Sequence, residues 1–139
     1  MSKLFLDSNI WLRFFVRDNP QYESVEKLIS AIESGGYLPY TSAIVLLEVS
    51  YVLKTAYRQP KDKIIQYIQS IWDLRNITIV EKTNSKEALK ILKRTGIKYS
   101  DCLIASQLTA GMLLVTFDKE FSKIKGLTIK TPAQIVSEK

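Results

Sequence analysis

Residues 4–9 read LFLDSN and residues 113–118 read LLVTFD, so two apolar, strand-like runs each close on a carboxylate, Asp7 and Asp118. Working outward from them, the chain alternates short β-rich runs with stretches of helical periodicity from end to end. Strands are expected at 3–6 (KLFL), 37–40 (YLPY, weakened by Pro39), 77–80 (ITIV), 112–116 (MLLVT) and 127–130 (LTIK). The run 112–116 is continuously apolar, as a central parallel strand buried on both faces should be. Between the strands, Asn19-Pro20 reads as a helix start, and Thr41 or Ser42 can cap a helix over SAIVLLEVSYVLKTAY. Pro60 opens another helix, Asn84-x-x-Glu87 has the form of a capping box ahead of ALKILK with Gly96 as its stop, and Ser100 can cap DCLIASQLTA. A last helix is expected over PAQIVSE. This alternation predicts one α/β domain over 1–139, with three α/β/α layers around a mostly parallel central sheet of about five strands. In such sheets ligands sit beyond the carboxyl ends of the strands, which is where Asp7 and Asp118 fall.

Composition narrows the chemistry. The chain is 46% hydrophobic, enough for a core, with five Gly and four Pro and no low-complexity stretch. It has no histidine, which removes Ser-His-Asp and Cys-His catalysis, histidine metal ligands and the usual neutral-pH base. Its single cysteine, Cys102, cannot form an internal disulfide and lies among apolar neighbours in DCLIAS, as a structural thiol would. Asp7 interrupts any secretory core in MSKLFLDSN, and the longest uncharged run, 102–117, is too short and polar to span a bilayer. A soluble cytoplasmic protein with no membrane association is therefore expected. The net charge of +6 favours an anionic partner, although many globular proteins are basic without one.

Two further acids stand in apolar surroundings. Glu48, in IVLLEVSYVL, shares a helical face with Ile44, Val45, Val52 and, less directly, Tyr51, so it should be partly buried and need compensation. Asp101 opens DCLIAS, where an acid also suits the positive end of a helix. Asp7 and Asp118 can equally be Asx turns or helix caps, and Glu48 the partner of a buried base. If all four converge, each pair of carboxylates about 5 Å apart repels by roughly 3 kcal/mol at an effective dielectric near 20. Such a cluster needs protons or a cation. With oxygen ligands only, the cation is hard, Mg²⁺ or Mn²⁺. Ser8, Asn9 and Thr116 lie beside these acids in sequence and can orient them or bind metal-held waters. A site of this kind supports phosphoryl transfer without a histidine base. Setting the four acids aside leaves ten acids against twenty basic residues, a remainder of about +10, and an acidic pit in a basic surface suits a nuclease.

The ordered set LFLDSN, helical LLEV, YSDCLIAS and LLVTFDKEF resembles the PIN-domain ribonucleases, in particular the small VapC-type toxins, over almost the whole chain. The resemblance implies that Asp7, Glu48, Asp101 and Asp118 form an acidic quartet for Mg²⁺ or Mn²⁺. In it Asp7, Asp101 and Asp118 act mainly as ligands, and Glu48 ligates or orients the attacking water. Asn9 and Thr116 are implied as supporting residues. It further implies hydrolysis of RNA, with tRNA or rRNA as the toxins' targets, a homodimer, and silencing by a cognate antitoxin whose tail covers the site. Glu120 stands where the family often has a second Asp, which leaves an accessory role for it open. The family also contains RNA-processing nucleases that are not toxins.

Other readings fit less well. A haloacid-dehalogenase-type phosphatase needs a second Asp two residues after the first, and that position is Asn9. A response-regulator receiver needs adjacent acids after strand one and an Asp in the middle strand, and ITIVEKT has none. A catalytically silent RNA-binding module would not need the intact quartet. Two basic groups, Lys54, Arg58, Lys61 and Lys63, and Lys90, Lys93, Arg94 and Lys98, are either solvated faces or a phosphate track. Of the helical aromatics Trp11, Phe14, Phe15, Tyr51, Tyr57, Tyr67 and Trp72, most should be core and some can form a dimer or antitoxin surface.

Overall fold

A computed structural model describes residues 1–137. Along the chain run β1 (Lys3–Leu6), α1 (Ser8–Phe15), α2 (Tyr22–Glu33), β2 (Leu38–Ser42), α3 (Ala43–Thr55), α4 (Lys61–Trp72) and β3 (Thr78–Val80). They are followed by α5 (Ser85–Thr95), α6 (Tyr99–Ser106), β4 (Met112–Val115), a 3₁₀ turn (Lys119–Lys123), β5 (Ile129–Lys130) and α7 (Pro132–Ser137). The strands form one parallel sheet in the order β3-β2-β1-β4-β5. Successive strand residues point to opposite faces, and Leu4, Phe5 and Leu6 are all fully buried, so helices cover the sheet on both sides. The α/β class and the five parallel strands agree with expectation. The central strand, however, is β1; β4 lies beside it, with Leu114 and Val115 buried and Met112 and Leu113 half-buried. Pro39 is tolerated in β2 because pairing with β3 begins only at Tyr40, leaving Pro39 a neighbour on one side alone.

The local signals act largely as read. Ser42 caps α3 by accepting from Val45 N at 3.3 Å, Pro60 precedes α4, and Asn84 caps α5 by accepting from Glu87 N at 3.0 Å. Gly96 ends α5 in the left-handed region (φ 71°), which favours glycine. Thr41 is instead a strand residue, donating to Leu6 O at 2.9 Å and accepting from Trp11 Nε1 at 3.3 Å. The helix expected from Asn19-Pro20 starts at Tyr22, because Asn19 and Pro20 form the preceding turn, in which Asn19 Oδ1 accepts from Gln21 N at 3.0 Å. Glu138, in the expected last helix, lies outside the described residues.

Helix α1 was not anticipated. Its eight residues bury Ile10, Trp11, Leu12 and Phe15 against the core, and Asp7 caps it by accepting from Ser8 N at 2.7 Å. Trp11 and Phe15 are core as expected, whereas Tyr51 and Trp72 are at least half exposed. A smaller cluster of Ala88, Ile91, Ile97 and Cys102 joins α5 to α6. There the Cys102 thiol donates to Ile97 O at 3.7 Å and burial pushes its pKa up, as suits a structural thiol. Among the described residues no helix is long and apolar enough to cross a membrane.

Candidate active site

Two adjacent strands deliver the first two acids. Asp7 continues β1, donating its N–H to Val115 O at 3.1 Å, before its side chain caps α1. Asp118 follows β4 by three residues and caps the 3₁₀ turn, accepting from Glu120 N at 2.9 Å. Thr116 and Asn9 tie these strand ends together. The Thr116 hydroxyl donates to Asp7 Oδ2 at 2.7 Å and accepts from Asp118 N at 3.0 Å and Asn9 Nδ2 at 3.1 Å. Asn9 Nδ2 also reaches Asp7 Oδ2 at 3.3 Å, and Asn9 Oδ1 accepts from Phe117 N at 3.2 Å. Thr116 is buried, so its hydroxyl forms the hub of this network. Ser8 contributes its backbone N–H.

The other two acids come from helices beyond the same sheet end. Glu48 lies on α3 with its side chain 18% exposed, partly buried as its apolar neighbours imply, although Tyr51 points to solvent. Its Oε2 accepts from Ser100 Oγ at 3.2 Å and from Lys98 Nζ at 3.4 Å. Its Oε1 is buried without a hydrogen-bond partner. Ser100 is therefore not the cap of the following helix. That helix, α6, begins at Tyr99, and Ser100 turns inward to Glu48. Asp101 is in the first turn of α6 and is 6% exposed.

All four carboxylates share one electrostatic environment. Burial raises Asp7 from 3.8 to about 6, against the hydrogen bonds from Thr116 and Ser8 that hold it down, and Glu48 and Asp118 raise it further. Burial likewise raises Asp101 to about 7; the Lys98 ammonium opposes this, and Asp7, Glu48 and Asp118 add to it. A shallow hollow of about 380 Å³ has Lys98, Asp101, Asp118 and Glu120 on its walls. Glu120 is bridged to Lys123 at 2.7 Å, and both residues line this hollow. A larger cavity of about 830 Å³, bordered by Arg94, Lys123 and Lys125, lies between α5, α6 and the β4–β5 edge; Lys123 borders both.

These residues fit a hard cation by their chemistry. The donors are all oxygen, one buried carboxylate oxygen has no partner, and two acids carry a burial cost that a positive charge would relieve. Among the described residues, no three of the acids lie close enough to form a ready-made ligand cage. Lys98 and Ser100, read from sequence as part of a phosphate track and as a helix cap, are the site residues whose roles sequence did not give. Nothing in the order of residues 98–101 signals that their side chains meet a glutamate fifty positions earlier.

The chain resembles known proteins along nearly its whole length. The PIN domain family model matches residues 4–127. A VapC ribonuclease of Aquifex aeolicus is 21% identical over 126 residues, spanning 89% of this chain and 93% of that protein. Among solved structures, VapBC2 of Rickettsia felis bound to a promoter DNA fragment superposes with a TM-score of 0.69 at 22% identity, over 93% of this chain and 98% of that one. VapC20 of Mycobacterium tuberculosis, a sarcin-ricin loop cleaving toxin, gives 0.70 at 17% identity, over 86% and 92%. A toxin-antitoxin complex of Klebsiella pneumoniae gives 0.63 at 21% identity, over 94% and 98%. With its strand-end acids, parallel five-stranded sheet and a family match over nearly its full length, this chain belongs to the PIN domain family.

Proposed function

We propose that the chain is a Mg²⁺- or Mn²⁺-dependent endoribonuclease, the toxin of a toxin–antitoxin pair acting in the cytoplasm. The observation that carries this reading is the mutual field of Asp7, Glu48, Asp101 and Asp118 at the carboxyl end of the sheet, with burial raising the pKa of Asp7 and of Asp101. Asp7, Asp101 and Asp118 would hold the cation, some directly and others through its waters, and Glu48 would hold it or the attacking water. When bound, the cation supplies a Lewis acid that polarises the phosphodiester and makes a water nucleophilic at neutral pH.

The chain's own residues set the geometry. Thr116 and Asn9 fix the Asp7 carboxylate against the loop that carries Asp118, so neither strand end can drift independently. Ser100 orients Glu48 through Oε2, which leaves Oε1 available to accept a hydrogen bond from the attacking water. Arg94, Lys123 and Lys125 at the neighbouring cavity support an RNA path that runs from the acids along α5, with tRNA or rRNA as the substrate class. The Aquifex aeolicus relative, a ribonuclease, supports the same activity, and the VapBC2 and Klebsiella pneumoniae structures support an antitoxin partner. Exposed Leu47 and Tyr51, one turn apart on α3, and Ile65 and Trp72 on α4 support a protein-covered surface for a homodimer or antitoxin.

The test is cleavage of structured RNA by the purified protein with Mg²⁺ or Mn²⁺, repeated with EDTA and with Asp7→Asn. Cleavage abolished by both supports the reading. Cleavage that survives both, or no cleavage of tRNA and rRNA under any divalent ion, rejects it.

A further inference from the structure

Lys98 is the feature of the site that the quartet does not explain. Its backbone is fixed: Lys98 O accepts from Asp101 N at 3.0 Å and Cys102 N at 3.1 Å, so the residue is locked to the first turn of α6. Its side chain is not fixed, being 67% exposed on a long flexible stem. From that anchor its ammonium reaches Glu48 Oε2, the oxygen that Ser100 also holds, and it lines the hollow beside Asp101 and Asp118. The fields of Asp101, Glu48 and Asp7 all act on it. An ordinary surface ion pair contributes little. Lys98 pairs directly with Glu48, and its charge is also within the fields of Asp101 and Asp7, the acids that a divalent cation would serve.

We propose that Lys98 is the resident counter-charge of the acidic site: its ammonium competes with the divalent cation for Glu48 and, once displaced, contacts a non-bridging oxygen of the scissile RNA phosphate. The inference rests on the nuclease reading above and deepens it. Two chemical facts support the exchange. Glu48 Oε2 already has Ser100 as a donor, so losing the ammonium does not strand it, whereas Oε1 has no partner and gains one when a cation or its water arrives. A lysine freed at the mouth of the hollow is a mobile point charge of the kind that binds phosphate. The displaced ammonium would then lie where negative charge grows during phosphodiester hydrolysis.

The experiment compares wild type, Lys98→Gln, Lys98→Arg and a charge control, Lys27→Gln, which removes an exposed lysine paired with Glu23 on α2. Mn²⁺ binding is read by electron paramagnetic resonance without RNA, and kcat and KM are then measured on a structured RNA. Lys98→Gln is expected to bind Mn²⁺ on the order of tenfold more tightly, since a competing charge has gone. It is also expected to cleave with kcat lowered about a hundredfold. Lys98→Arg should keep most of the rate, and Lys27→Gln should match wild type in both measurements. If Lys98→Gln melts earlier but binds Mn²⁺ and cleaves like wild type, Lys98 is only a tether between α3 and α6 and the proposal fails. If wild type binds no Mn²⁺ and cuts no RNA, the nuclease reading itself fails, and this inference with it. Wild-type binding and cleavage with unaltered Lys98→Gln behaviour would overturn the inference alone.

Discussion

Replacing Asp7 with Asn should make the metal-free protein more stable at pH 7.5 and less stable at pH 4. Asp7 is 2% exposed, and its pKa is raised from 3.8 to about 6, mainly by burial. The folded chain therefore binds this proton more tightly than the unfolded chain does. Stability contributed by the group falls as the pH rises from about 4 to about 6 and stays flat above. At about 1.36 kcal/mol per unit, ionised Asp7 costs the fold about 3 kcal/mol at neutral pH. Asn cannot ionise and escapes that cost, but it breaks the network at Thr116. The Thr116 hydroxyl already accepts from Asn9 and Asp118 while donating to Asp7 Oδ2, and an amide NH₂ in that place offers it a third donor and no acceptor. The mismatch costs about 1–2 kcal/mol at any pH. The variant should thus gain about 1–2 kcal/mol at pH 7.5, a rise of several degrees in Tm for a chain of this size. It should lose a similar amount at pH 4, with the curves crossing near pH 5. Thermal unfolding followed by circular dichroism in EDTA, across this pH range, reads the effect. Parallel Tm–pH curves for the two proteins would refute the reasoning, because they would show that the buried charge carries no cost.

Thr116→Val keeps the shape of the hub but strands Asp118 N and takes a donor from Asp7 Oδ2, while Asn9 Nδ2 keeps its bond to Asp7; it should cost about 2–3 kcal/mol in urea unfolding, and a loss below 1 kcal/mol would deny the hub its role. Ser100→Ala removes the fixed donor to Glu48 Oε2, so kcat/KM on RNA should fall about tenfold while Tm moves by no more than about 3 °C. Because Asp7 and Asp101 hold their protons up to about 6 and about 7, a bound cation must displace them. Saturating Mn²⁺ should accordingly raise Tm more at pH 8 than at pH 5.5, and an equal rise at both would place the ion elsewhere.

The strands and their terminal acids were legible because a parallel sheet buried on both faces must be written in unbroken apolar runs, and a carboxylate that closes such a run is conspicuous. LFLD and LLVTFD carry that signal, and the structure sets the two strands side by side. Glu48 was legible for the related reason that its helical neighbours are apolar. Helix α1 was missed because it starts directly at Asp7. One side chain both ends the strand and caps the helix, so no separate start signal is spelled out in SNIWLRFF. The inward turn of Ser100 and the reach of Lys98 were not legible, since both depend on where α3 passes α6, and that placement is set by packing between distant segments. Thr116 stands out in the sequence for lying close to Asp118, but its place between Asp7, Asn9 and Asp118 follows from the register of β1 with β4.

The claim on which everything else rests is that four carboxylates from separate elements serve one divalent ion. Calorimetric titration of Mn²⁺ into the RNA-free protein at pH 7.5 tests it most directly, with Asp7→Asn, Glu48→Gln, Asp101→Asn and Asp118→Asn measured alongside. The wild type should bind saturably, and every one of the four variants should bind more weakly. Binding that all four variants retain at wild-type strength would contradict the claim.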